Sequence, residues 1–145
     1  MGVESQLTHR GYKSLTAWKC ADDLAAEIYQ MAGRLHGQAW ILNGQLIRAA
    51  TSAPANIAEG YGRASQREFK QFLTVADGSL YEVSYFLHFL ACVGAIDDLT
   101  HTRHSGSCER GSRVLYGLMR AAGAQARADA RSPRFLNGIS RRVPA

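Results

Sequence analysis

The chain has 145 residues, of which 46% are hydrophobic and 20% are charged, a composition that is ordinary for one soluble globular domain. No apolar run follows the first residues, so we expect neither a signal peptide nor a membrane-spanning helix, and we expect a cytoplasmic protein without a membrane partner. The net charge of +5 is uneven, because residues 103–145 contain nine arginines and only two acids, Glu109 and Asp129.

The first predicted helix follows a lead-in, residues 1–13, that has no periodicity. From Trp18 to Leu35, apolar residues recur every three or four positions, which indicates one buried helix face. Thr16 is predicted as its N-cap and Gly37 as its stop.

The second predicted helix begins at Asn43, a residue type that favours the N-cap, and continues to about Gly60. One of its faces consists mostly of small residues, which permit close approach of a neighbouring backbone. Pro54 lies inside this pattern, where it removes a backbone donor and crowds the carbonyl of Ala50. We therefore predict one helix with a bend rather than two helices.

The third predicted helix starts at Ser65, which has the capping-box spacing to Glu68. It carries the strongest heptad-like apolar stripe in the chain, and Gly94 can supply its left-handed C-terminal cap. A monomer would leave apolar residues outside that stripe partly exposed, so the pattern predicts a second buried contact. These residues are Val75, Tyr85, Phe86 and Phe89.

The fourth predicted helix covers about residues 98–122, with Asp97 or Asp98 as its cap. Its first half should be weak, because a glycine costs about 1 kcal/mol relative to alanine within a helix. The three glycines concerned are Gly106, Gly111 and Gly117. We expect this helix to open more easily than the other three.

The four predicted helices define an all-α protein, an antiparallel up-down four-helix bundle, over residues 14–123. After Gly123 the periodicity fades, and residues 124–145 are predicted to be a mobile basic tail.

A polar stripe follows one face of the second predicted helix, at steps of three or four residues: Arg48, Ser52, Asn56, Glu59 and Arg63. The short connection that follows brings Arg48 near the level of Ser79 and Glu82 on the third helix. One interpretation is a solvated face with an ordinary Glu59–Arg63 pair, worth about 0.2 to 0.5 kcal/mol. The other is a polar network between helices or subunits, in which Arg48 pairs with Glu82 and Asn56 bonds across the seam. The spacing alone favours the solvated face.

Three motifs in this region carry a family resemblance. Residues 49–63 read AATSAPANIAEGYGR, Ser65-x-x-Glu68-Phe69 follows, and residues 77–82 read DGSLYE. Over roughly residues 12–96 the chain resembles the bacterial four-helix bundle family named for proteins encoded in 23S rRNA intervening sequences. Its relatives include the accessory variability determinant proteins of diversity-generating retroelements, which form ring-like homopentamers and bind a reverse transcriptase and nucleic acid. The resemblance implies a homopentamer and favours the polar network.

No sequence pattern predicts catalysis or a cofactor, so we expect a protein that is not an enzyme. His101, His104 and Cys108 would share one helix face and offer three zinc ligands, but surface histidines beside a free thiol are the favoured interpretation, and no metal is predicted. The cysteines Cys20, Cys92 and Cys108 are widely spaced without a CxxC pair, which predicts reduced, buried thiols.

The arginines of the C-terminal third predict contacts with phosphate, because a guanidinium can donate to two oxygens at once. We expect sequence-indifferent binding of RNA or DNA with little aromatic stacking, although a solubilising tail without a ligand fits the pattern equally well. The predicted binding residues are Arg110, Arg113, Arg127, Arg131, Arg134, Arg141 and Arg142.

The function predicted from these features is that of an oligomeric scaffold or accessory factor. Its partners would be nucleic acid, a nucleic-acid enzyme such as a reverse transcriptase, or both. A scaffold that binds only proteins is the alternative, and a metal-binding bundle is a less favoured one.

Overall fold

Apolar residues at intervals of three and four form four α-helices in the computed structural model, which describes residues 11–132. They are α1 (Thr16–Ala32), α2 (Asn43–Tyr61), α3 (Gln66–Cys92) and α4 (Asp98–Ala130). Two short 3₁₀ helices, Tyr12–Ser14 and Gly37–Leu42, precede α1 and α2. The predicted all-α class with four helices is confirmed. Within the described residues, no helix is both long and apolar enough to span a membrane.

The core lies where the apolar stripes of the four helices meet. Of its ten largest fully buried side chains, five belong to α3 and only one, Leu115, to α4. Burying a leucine or isoleucine contributes about 1.5 to 3 kcal/mol, so α3 supplies much more of the apolar stabilisation than α4 does. The ten are Leu24, Ile28, Leu46, Ile57, Leu73, Leu80, Val83, Leu87, Leu90 and Leu115.

The α2–α3 seam is close because small residues of α2 face large residues of α3. A Cβ atom on Gly60 would lie 2.6 Å from Cβ of Phe72, so only glycine fits at this level. Farther along, Ser52 lies against Ser79 and Arg48 against Glu82. In these three contacts the residue numbers fall along α2 while they rise along α3. This order shows that α2 and α3 are antiparallel neighbours. The antiparallel order of the whole bundle stays a prediction.

Three of the predicted helix ends are present in the structure. The Ser65 hydroxyl accepts a hydrogen bond from the Glu68 amide at 3.2 Å. Gly94, just after α3, has a φ of 73°, the left-handed conformation that glycine adopts without strain. Asp97 Oδ1 accepts from the Thr100 amide at 2.7 Å, and this hydrogen bonding lowers the pKa of the Asp97 carboxyl.

Three other predicted helix ends were wrong. Thr16 is the first residue of α1 rather than its cap, and α1 ends at Ala32 rather than near Gly37, which instead begins a 3₁₀ helix with a φ of 59°. Asn43 does not cap α2 but is its first residue, and its buried Nδ2 donates to the Ala32 carbonyl at 3.2 Å. The reason is tertiary, because this amide connects the end of α1 to the start of α2.

α2 is one helix through Pro54, as predicted, and the bend expected near residues 50–54 stays a prediction. α4, in contrast, continues to Ala130, eight residues beyond its predicted end, so residues 124–130 belong to this helix and not to a tail. Residues 121–130 are rich in alanine, the best helix former, and Gln125 Nε2 donates to Asp129 Oδ1 at 2.8 Å. Arg134, Arg141 and Arg142 lie outside the described residues.

Candidate functional site

The polar stripe of α2 meets α3 through two cross-helix contacts. Arg48 Nη2 donates to Glu82 Oε1 at 2.9 Å, and the hydroxyl oxygens of Ser52 and Ser79 lie 2.9 Å apart. Ser79 Oγ also lies 3.1 Å from the Val75 carbonyl, so this hydroxyl has a partner on each helix. The structure thus brings together four of the predicted residues.

Asn56 does not bond across the seam, contrary to prediction. Its Nδ2 donates to the carbonyl of Ser52 at 2.8 Å and to Ser52 Oγ at 3.0 Å, both on its own helix. The short side chain of Asn56 reaches Ser52, one turn earlier on the same helix. Ser52, and not Asn56, makes the contact with α3. Asn56 therefore orients the Ser52 hydroxyl toward Ser79.

Glu59 and Arg63 form a separate pair near the end of α2. Arg63 Nη2 donates to Glu59 Oε1 one turn earlier, and the guanidinium carbon lies 4.7 Å from the centre of the Phe72 ring. This cation–π contact connects Arg63 to α3. The two residues do not touch the Arg48–Glu82 pair.

Exposure limits what the stripe contributes to stability. The Arg48 side chain is 66% exposed, and exposed ion pairs stabilise a fold by about 0 to 1 kcal/mol. The stripe is accessible to a partner, and its role at an interface stays a prediction.

A second surface feature lies on the outer face of α3 and its C-cap residue Val93, where Tyr81, Tyr85, Phe89 and Val93 are exposed at every fourth residue. We call these four residues the outer stripe. The Tyr85 and Phe89 rings lie 6.5 Å apart, and Tyr85 is 59% exposed. Phe89 and Val93 also border a groove of about 490 Å³ that the 3₁₀ residue Ile41 lines from the other side.

Two of the four apolar residues predicted to lie outside the core stripe, Tyr85 and Phe89, belong to the outer stripe. Val75 is exposed elsewhere on α3, but Phe86 is only 8% exposed and belongs to the core, contrary to prediction. Tyr81 and Val93 were missed, although their spacing of four from Tyr85 and Phe89 is readable in the sequence.

Four of the arginines predicted to bind nucleic acid lie within residues 11–132, and all four are exposed on α4 or just after it. They are Arg110, Arg113, Arg127 and Arg131. Among residues 11–132, none of these four forms an ion pair within 4 Å. α4 holds them on a regular helix, which a mobile tail would not do.

His104 is buried rather than at the surface, and its Nδ1 lies 3.3 Å from Glu27 Oε2 on α1. Cys108, one turn later, is also buried, and burial together with the charge of Glu109 raises the pKa of its thiol to about 12. Cys92 is exposed, contrary to prediction, and Cys20 is half-buried. Within the described residues, no three His, Cys, Asp or Glu side chains, His101 included, are grouped to hold a metal ion.

The chain matches a known protein family. Residues 13–117 match the family model described as 23S rRNA-intervening sequence protein. The matched region includes all of α1, α2 and α3 and the first part of α4, and it excludes residues 118–145. Among curated proteins, none matches the chain at a significant level.

Proposed function

The chain belongs to the family of 23S rRNA-intervening sequence proteins, and on that premise we propose that it works as a scaffold and not as an enzyme. Copies of the chain associate through the outer stripe of α3. The assembly presents the arginines of α4 to nucleic acid.

The observation that supports this proposal best is the outer stripe itself. Its four residues extend over about 18 Å of α3, at 1.5 Å per residue, which is long enough for a contact with another helix. Aromatic rings contribute strongly to interface energy, since burying apolar surface stabilises by about 25 cal/mol per Å². In a ring of five copies the contact is head-to-tail, so the outer stripe of one copy packs against a different surface of the next copy.

Nucleic-acid binding is supported by the exposed arginines of α4, to which Arg134, Arg141 and Arg142 add further positive charge. In an assembly each copy adds its own arginines, so weak individual contacts become multivalent. The family resemblance adds two expectations to the proposal, a ring of five copies and a reverse transcriptase as partner, and the lack of an apolar run after the first residues adds a cytoplasmic location. The polar network around Arg48 and Glu82 is proposed as a polar edge of the subunit contact.

The assembly is tested by light scattering at micromolar concentration on the full chain and on two double variants. Tyr85→Glu/Phe89→Glu places charges in the outer stripe, while Tyr29→Glu/Leu99→Glu makes a matched change at exposed positions of α1 and α4. We expect a multiple of the 15.8 kDa chain mass for the wild type and the control, and 15.8 kDa for the stripe variant. All three should keep the same helical circular dichroism.

A monomeric wild type would contradict the assembly itself. Equal dissociation of both double variants, or of neither, would contradict the outer stripe as its contact. If the wild type assembles but binds no labelled oligonucleotide at any salt concentration, the function is that of a scaffold that binds only proteins.

A further inference from the structure

A cavity of about 630 Å³ lies between the first turns of α3 and the second half of α4. Three cationic side chains line it, Lys70 from α3 and Arg120 and Arg127 from α4, together with the ring of Tyr116. We call this cavity the basic groove. Only Arg127 of these four was predicted as a binding residue.

Gly123 explains how the groove forms. It is buried, and a Cβ atom at this position would lie 3.3 Å from Lys70 Nζ and 3.4 Å from Lys70 Cδ. The lysine side chain therefore lies across α4 at a residue without a side chain. Because residues 120, 123 and 127 share one helix face, the Lys70 ammonium lies at a level between the two arginines. A glycine here costs about 1 kcal/mol of helix stability relative to alanine.

The charge of the groove is uncompensated. No carboxylate is among its lining residues, and within residues 11–132 none of the three cations has an ion pair within 4 Å. Like charges held together repel one another, so the cluster is unfavourable until an anion binds. Arg120 and Arg127 are two helical turns apart, about 10 Å along the axis, which leaves room for more than one phosphate of a strand along the groove.

Tyr116 adds a flat apolar surface one turn before Arg120. It is 61% exposed. Single-stranded nucleic acids bind to surfaces of this kind, in which cations follow the backbone and aromatic rings stack on unpaired bases. In a duplex the bases are already stacked on each other, so the ring has no base to contact.

We propose that the basic groove binds single-stranded nucleic acid, with successive phosphates on Lys70, Arg120 and Arg127 and a base on the ring of Tyr116. This inference rests on the proposed function and assigns its nucleic-acid contact to a groove of which only Arg127 belongs to the predicted set. It also gives aromatic stacking a role that the sequence did not predict.

The phosphate contacts are tested by fluorescence anisotropy with a labelled single-stranded oligothymidylate, on the full chain and at several salt concentrations. Arg120→Gln/Arg127→Gln removes two charges from the groove. Arg34→Gln/Arg103→Gln removes two exposed charges near the opposite end of α4 and serves as the control. We expect the groove variant to bind about tenfold or more weakly, with a slope of log affinity against log salt reduced by about 1.4, since each phosphate contributes about 0.7.

The stacking contact is tested with Tyr116→Ala and Tyr116→Phe. Alanine should weaken single-strand binding about fivefold or more, because base stacking is worth about 1 to 3 kcal/mol. Phenylalanine should restore it, and a duplex of equal length should bind the wild type and both variants alike. Loss for both strand forms, or for neither, overturns the stacking contact.

Further outcomes separate the groove from the proposed function. Equal losses in both double variants, or none in the groove variant, overturn the groove alone, and Arg110 and Arg113 then become the candidate contacts. A wild type that binds no oligonucleotide overturns both. Competition by polyglutamate as strong as that by unlabelled oligothymidylate overturns the nucleic-acid ligand and assigns the groove to an acidic protein segment.

Discussion

Burial decides the chemistry of single residues in this chain, as the cysteines show. Cys92 is exposed, with its Sγ 3.5 Å from His88 Nε2, whereas Cys108 is 3% exposed and its pKa is raised to about 12 from an ordinary 9.0. Only the thiolate reacts with an alkylating reagent. We therefore predict that at pH 8 iodoacetamide modifies the exposed Cys92 long before it modifies Cys108, because burial both hides the Cys108 sulfur and suppresses its thiolate. Mass spectrometry of peptides over time measures this, and similar rates in the folded protein would contradict it.

The buried thiol of Cys108 should make the folded protein less stable as the pH becomes alkaline. The folded pKa of Cys108 is higher than the unfolded value, so its contribution is fully present below pH 9.0 and is lost as the pH rises toward 12. The free energy of unfolding, measured with urea, should fall between pH 8 and pH 11, and this fall should be smaller in Cys108→Ala than in the wild type. If the free energy of unfolding depends on pH in the same way in the wild type and in Cys108→Ala, the Cys108 thiol is not the cause.

At the scale of whole elements, the sequence predicted what depends on neighbours along the chain. Ser65, Gly94 and Asp97 lie where the sequence predicted them, because a cap needs only residues within one turn. Asn43 has the same capping chemistry, but its side chain donates to the Ala32 carbonyl instead of capping α2. Only the fold brings this carbonyl near Asn43. The outer stripe and the basic groove depend likewise on how helices pack, so spacing within one helix could not predict which residues stay exposed.

The glycines of α2 and α4 differ in their surroundings, and this gives a graded prediction. A Cβ atom on Gly106 or Gly117 would meet nothing within 4 Å, so alanine at either position should stabilise the fold by about 1 kcal/mol and raise Tm by about 4 °C. Gly60→Ala should lower Tm, because its Cβ atom would lie 2.6 Å from Cβ of Phe72. Thermal unfolding ranks the variants, and hydrogen exchange of residues 105–118 should slow in the first two. If Gly106→Ala has a lower Tm than the wild type, there is no free space for a Cβ atom at that position.

For the molecule as a whole, the family match and the positive charge lie in different parts of the chain. The match ends at residue 117, whereas Arg120, Arg127 and Arg131 follow it on the same rigid helix or just after it. The matched region supplies most of the core and all of the outer stripe. The positive surface that we propose for nucleic acid comes mainly from the part of α4 beyond the match.

This division predicts the effect of removing the residues after Ser132. The shortened chain keeps all of α4 but loses Arg134, Arg141 and Arg142 and no acid, so its net charge falls from +5 to +2. If α4 carries the main contacts, the shortened chain still binds oligothymidylate, with a salt slope lower by at most about 2 per chain, three times 0.7. Adding Arg120→Gln/Arg127→Gln to it should remove most of the remaining affinity. Anisotropy titrations measure both steps, and light scattering checks that the assembly is unchanged. If removing residues 133–145 alone abolishes binding while the assembly stays intact, those residues carry the contact and α4 does not.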